Sequence, residues 1–99
     1  MSEHFLTCRK PKDPSDSDVY AMDWTNALNT GETISASTWV FYPPNILVDV
    51  ADSIAADGLS TAVQLSGGLA GQDYWCENTV ETTDGRTLQR TGVLNVREL

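Results

Sequence analysis

The sequence predicts an all-β domain, two antiparallel sheets packed face to face as a sandwich. Two observations carry this. Short runs rich in Val, Ile, Thr and aromatic residues recur along the 99 residues, separated by Gly, Pro, Asn and Asp clusters. Leu65–Val96 then holds a glycine cluster and two long alternating runs joined at Asp84-Gly85, the pattern of one large hairpin. At this length the chain forms a single domain over 1–99, large enough for one core without metals or staples.

Each element has its own local reason. Residues 1–18 read as an extended N-terminal arm or edge strand, with Phe5–Arg9 joining a sheet edge and Lys10–Asp18, KPKDPSDSD, as an exposed polar run broken by Pro11 and Pro14. Val19–Asp23 is a strand. Asp23 is placed to cap a short Trp24–Leu28 turn that Gly31 closes. Thr33–Phe41, TISASTWVF, is rich in β-branched and aromatic residues, but Ile34 and Trp39 fall on opposite faces. A bulge or a sheet-switching strand resolves that conflict, and Trp39 suits a core anchor. After the Pro43-Pro44 break, Ile46, Val48 and Val50 alternate with Leu47, Asp49 and Ala51. Ser53–Ala56 suits a helical turn too short to change the class. Leu59, Val63 and Leu65 alternate with Ser60, Ala62 and Gln64 and end at Ser66-Gly67-Gly68, a turn signal. About seven short strands with turns roughly every ten residues predict an immunoglobulin-like sandwich, without the paired cysteines of antibody domains.

The hairpin register follows from parity. A two-residue Asp84-Gly85 loop sets Val80 against Gln89 and Tyr74 against Asn95, mixing buried with exposed positions on one face. A three-residue loop, Thr83-Asp84-Gly85 with Gly85 left-handed at a bulge, sets Val80 against Leu88, Cys76 against Gly92 and Tyr74 against Leu94. The apolar residues then align, and the bulged loop is expected. The opposite face carries Trp75, Glu77, Thr79 and Glu81 against Gln89, Thr91, Val93 and Asn95. It is polar except where Trp75 meets Val93. One face packs and the other meets water or a partner. The candidate protein interface is therefore Trp75, Glu77, Thr79 and Val93. Asp84 and Gly85 are structural turn residues.

Charge and composition narrow the function. Fourteen acidic and six basic residues give a net charge of −8, and the basic ones are dispersed. Sequence-independent binding to nucleic acid needs clustered Lys and Arg, so no nucleic-acid partner is expected. Acidity keeps a small protein soluble, and it also suits a mimic of nucleic acid. No stretch approaches the roughly 20 apolar residues of a membrane helix, and MSEHFLTCRK lacks the order of a secretory signal. A protein made in the cytoplasm with no membrane partner is expected. Cys8 and Cys76 are too few for a disulfide framework, and the alternation around Cys76 suits a buried thiol.

Catalytic chemistry finds no support. His4 is the single histidine, without an identifiable acid or base partner for a triad. Asp13, Asp16 and Asp18 resemble half a calcium loop but lack its glycine and its closing glutamate. Asn78-Thr79-Val80 is not a glycosylation acceptor, and Asn78 opposite Arg90 reads as a polar pair at the sheet margin. No enzyme activity, cofactor or metal is expected.

Three stretches in order carry a family resemblance: Asp18-Val19-Tyr20-Ala21-Met22-Asp23-Trp24, then Gly31 to Trp39, then Leu65 to Tyr74 running into Thr82-Thr83-Asp84-Gly85-Arg86. Together they resemble small immunoglobulin-like structural proteins of tailed bacteriophages, the fiber–tail adaptor or neck-region virion proteins. The chain departs from them at Tyr42-Pro43-Pro44-Asn45, where the family tends toward a glycine-containing turn. The resemblance implies a virion component without catalysis, repeated symmetrically in the particle and made in the bacterial host cytoplasm. Its implied partners are portal, connector, tail or fiber proteins, with the major capsid protein a further candidate. Three other roles fit the residues: a capsid decoration protein, a small acidic inhibitor of a host nucleic-acid-binding protein, and a glycan- or receptor-binding module using Trp75 and Tyr42.

Overall fold

A computed structural model describes residues 3–5, 9–44 and 47–98. Those residues form eight strands: β1 (Glu3–Phe5), β2 (Arg9–Lys12), β3 (Ser17–Asp23), β4 (Ile34–Tyr42), β5 (Leu47–Ile54), β6 (Ser60–Gly67), β7 (Asp73–Thr82) and β8 (Thr87–Val96). They make two four-stranded sheets ordered β1-β3-β6-β5 and β2-β8-β7-β4. The six strands from β3 onward pair antiparallel, whereas β1 joins β3 and β2 joins β8 in parallel. The all-β sandwich predicted from the sequence is the fold. Its strand count exceeds the expected seven because the N-terminal segment supplies one strand to each sheet.

The C-terminal hairpin shows how alternation builds the core. Tyr74 pairs with Leu94, Cys76 with Gly92, Asn78 with Arg90 and Val80 with Leu88. Tyr74, Cys76, Val80 and Leu94 are fully buried. The loop between Thr82 and Arg86 is closed by Thr82 N–H to Arg86 O at 2.9 Å and Gly85 N–H to Thr82 O at 3.0 Å. Gly85 sits there at φ 79°, a left-handed conformation that glycine adopts without steric cost. Opposite this layer, Tyr20, Met22, Val63 and Leu65 come from β3 and β6. Each buried Val or Leu contributes about 1.5–3 kcal/mol relative to its exposed state.

The phase conflict in β4 is a bulge. The β4–β7 register shifts between Ile34 and Ala36, and both Ile34 and Trp39 are buried. In β5 the structure reverses the face read from the alternation. Val48 and Val50 are 51% and 53% exposed, while Leu47 and Ile54 pack against the core. A register shift between Asp49 and Ala51 changes the parity part-way along. Ile46 lies outside the described residues, as does Cys8. The expected helical turn at Ser53–Ala56 is instead the end of β5 followed by a tight turn, with Gly58 N–H bonded to Ala55 O at 2.8 Å.

The N-cap of the 3₁₀ turn Thr25–Ala27 is Trp24, and Asp23 just before it supplies the side-chain bonds, its Oδ1 accepting from the Thr25 N–H at 3.0 Å and the Thr25 hydroxyl at 2.6 Å. These bonds hold the Asp23 carboxyl below the usual range. The run Lys10–Asp18 is not uniformly exposed. Lys12 is completely buried at the end of β2, and its Nζ donates to Gly67 O at 2.6 Å and Asp13 O at 2.9 Å. Gly67 ends β6 in the other sheet, so this ammonium bridges the two layers. Burial lowers its pKa, against the raising fields of Asp16 and Asp13.

Candidate functional site

Residues directly opposite in an antiparallel pair share a sheet face. Tyr42 pairs with Trp75 and Trp75 with Val93, so these three form one row across β4, β7 and β8. The next row is Val40, Glu77 and Thr91, and the one after it Thr38, Thr79 and Gln89. The four interface candidates, Trp75, Glu77, Thr79 and Val93, therefore lie together on the outer face of the second sheet. Trp75 is 45% exposed and Tyr42 48%, while Glu77, Thr79 and Val93 are half-buried.

Two exposed apolar members of the face, Tyr42 and Val40, lie outside the predicted interface. The sequence marks Tyr42 only as an aromatic platform for a glycan or receptor, and it gives no sign of Val40, which is 41% exposed. The bulge obscured both. With Trp39 and Phe41 turned inward, Val40 and Tyr42 must point outward.

A polar centre beneath the face holds its middle strand. Asn78 is fully buried, and its Oδ1 accepts from Trp24 Nε1 at 3.0 Å and from the Thr61 hydroxyl at 2.5 Å. Its Nδ2 donates to Ser37 Oγ at 2.9 Å and Thr38 O at 3.0 Å. Asn78 thus ties β7 to β4 beside it and to β6 and Trp24 across the sandwich. The expected Asn78–Arg90 margin pair is corrected here: the two residues are opposite in register, but Asn78 points into the core. Arg90 instead lies over the Trp24 ring, 5.3 Å from its centroid.

A second polar cluster fixes the hairpin tip. The buried Glu32 carboxylate accepts from Arg86 Nε at 2.9 Å, from Arg86 Nη2, from the Thr82 hydroxyl at 2.5 Å and from the Asn29 N–H at 2.8 Å. Arg86 Nη2 also donates to Ala27 O at 2.8 Å. The Arg86 guanidinium, opposed by burial and aided by the other bonds, pulls the Glu32 pKa down to about 2. Neither Glu32 nor its partner was singled out from the sequence. Their separation of 54 positions leaves no local signal.

Burial pushes the Cys76 thiol up to about 12, away from the thiolate that nucleophilic or redox chemistry requires. Asp13 Oδ1 accepts from the Ser15 N–H at 2.8 Å, a turn-forming bond. Among the described residues no three His, Cys, Asp or Glu side chains are grouped to hold a metal, and no helix is long and apolar enough to cross a membrane.

Residues 12–95 match the family model described as podophage GP4 fiber-tail adaptor protein gp77. The chain belongs to this fiber-tail adaptor family. No curated protein matches it. The family span takes in β3 to β7 and all but the last residue of β8. It includes the outer-face row, the Asn78 centre and the Glu32–Arg86 cluster, so adaptor membership extends over the whole antiparallel sandwich.

Proposed function

We propose that this chain is a non-enzymatic structural adaptor of a bacteriophage particle, seated where fibers attach to the tail or at the head–tail neck. In this reading it docks tail and fiber proteins, or portal and connector proteins, through the outer face of β4, β7 and β8. It is present in several symmetric copies and is made in the host cytoplasm before assembly.

The observation that carries the reading is the aromatic row Tyr42–Trp75–Val93 on a sandwich whose family match runs over residues 12–95. A solvated sheet face needs no large aromatics, and adjacent exposed Tyr and Trp side chains suit the centre of a protein interface. Glu77 and Thr79 supply polar groups beside that centre, as interface rims do.

Electron microscopy of intact particles tests the assignment. Density for the sandwich between the tail and the fiber bases, or at the neck, with a copy number set by tail symmetry, is the expected result. Copies distributed over the capsid lattice support the decoration role instead, and absence from the particle leaves the acidic-inhibitor role.

A further inference from the structure

β4 and β5 are the last strands of their respective sheets, and beyond Ile34, whose N–H donates to Gly58 O at 2.9 Å, no strand among the described residues pairs with their outer edges. Such edges are commonly guarded by Pro, Lys or inward charge. β4 has no such protection: ISASTWVFY contains neither a charged residue nor a proline over nine positions. β5 provides acidic residues instead. Asp49 pairs with Leu65 and Asp52 with Val63, and both partners are fully buried. By register the two residues lie on the core-facing side of an edge strand, and both are exposed there.

Between the two edges runs an open groove of about 290 Å³, lined by Trp39, Val40, Phe41, Pro44, Leu47 and Asp49. Trp39 and Phe41 are stacked within it, ring centroids 6.2 Å apart. Trp39 is 8% exposed, and its Nε1 is buried with no hydrogen-bond partner among the described residues. A buried donor left unpaired is costly, so this end of the core is less well satisfied than the rest.

We propose that this groove takes an extended, basic segment of another virion protein, added as a strand along the free edge of β4. The segment's backbone pairs with β4, and an apolar side chain rests on Phe41 and the exposed margin of Trp39. A Lys or Arg stem crosses the groove to Asp49, the carboxylate that lines it, within the field that Asp52 adds. Charge selects the occupant. Partial burial and then the Asp52 field raise the Asp49 pKa, so a cation here relieves the repulsion between two neighbouring carboxylates. A second copy of this chain, at net charge −8, is the less suited partner. Strand addition supplies affinity through the main chain and specificity through alternate side chains. The source of the segment rests on the adaptor reading; the groove chemistry does not.

Photo-crosslinking in particles assembled with the full chain tests the proposal. Val40→p-benzoylphenylalanine and Pro44→p-benzoylphenylalanine place the probe on exposed residues that line the groove. Both are expected to label one short Lys- or Arg-containing segment of a single other virion protein. Asp49→Lys with Asp52→Lys is expected to lower incorporation by roughly tenfold or more, and Asp49→Asn with Asp52→Asn by less, both with a native melt. Labelling of another copy of this chain, of an acidic or helical segment, or of nothing overturns the proposal. Full incorporation of the Asp→Lys variant also overturns it. If Trp75→Ser still blocks incorporation in those cases, the adaptor reading stands without the groove. If the unaltered chain is absent from particles, the adaptor reading falls as well.

Discussion

The Asn78 side chain accepts the Trp24 indole N–H at 3.0 Å, joining β7 of one sheet to the chain that leaves β3 of the other. Both residues are essentially excluded from solvent. Removing the amide leaves the Trp24 N–H only the Thr61 hydroxyl oxygen at 3.3 Å, takes the acceptor from the Thr61 O–H, and leaves the Ser37 hydroxyl and Thr38 carbonyl short of a donor. Asn78→Ala is therefore expected to cost about 3 kcal/mol, since each buried group left unsatisfied costs about 1–3 kcal/mol. Arg90→Ala, which removes only an exposed cation above Trp24, is expected to cost less than about 1 kcal/mol. Urea unfolding of the two variants measures the difference.

Glu32 gives the fold an acid-sensitive point. Its folded pKa of about 2 lies below the ordinary 4.5, so its contribution is complete above that ordinary value. The contribution drains away as pH falls from about 4.5 toward about 2. Thermal melts across this range are expected to show the unaltered chain losing stability toward acid. Glu32→Gln is less stable at neutral pH, and its deficit narrows as the pH falls. A constant gap between the two melts contradicts this account.

The hairpin was legible because three constraints agreed: the turn signal at Gly85, the parity of Tyr74, Cys76 and Val80, and the matching apolar positions on β8. Agreement across levels of this kind specifies a register. The bulge in β4 was legible as a conflict, because Ile34 and Trp39 cannot share a face without one. The polar core was not. Asn78 sits two residues from both Cys76 and Val80, so parity placed it inward, but its opposition to Arg90 suggested a surface pair. Lys12 lies among prolines and aspartates that read as a solvated run, and its acceptor on Gly67 is 55 positions away. Val48 and Val50 misled because a shift at Asp49–Ala51 alters the period within the strand. At the candidate site, the outer face followed from alternation alone, whereas the Val40 and Tyr42 contribution needed the position of the bulge.

The loop geometry separates two neighbouring substitutions. A Cβ at Gly85 meets no atom within 4 Å, so Gly85→Ala carries only the left-handed backbone penalty, about 1 kcal/mol. Asp84→Asn keeps a turn-forming side chain and is expected to cost little. Gly58→Ala is a harsher test of the same physics: its Cβ would stand 2.7 Å from Thr33 Cβ, and the cost exceeds that at Gly85. Chemical denaturation of the three variants checks the ranking.

Trp75→Ser tests the central claim most directly, through incorporation of the variant into particles alongside the melt of the purified protein. Trp75 is 45% exposed, so its loss is expected to leave the isolated fold within about 0.5 kcal/mol of the original. At an interface centre the same loss removes about 2 kcal/mol or more, on the order of thirtyfold per contact. The account predicts a nearly unchanged melt with failed incorporation. Normal incorporation of a folded Trp75→Ser protein contradicts it.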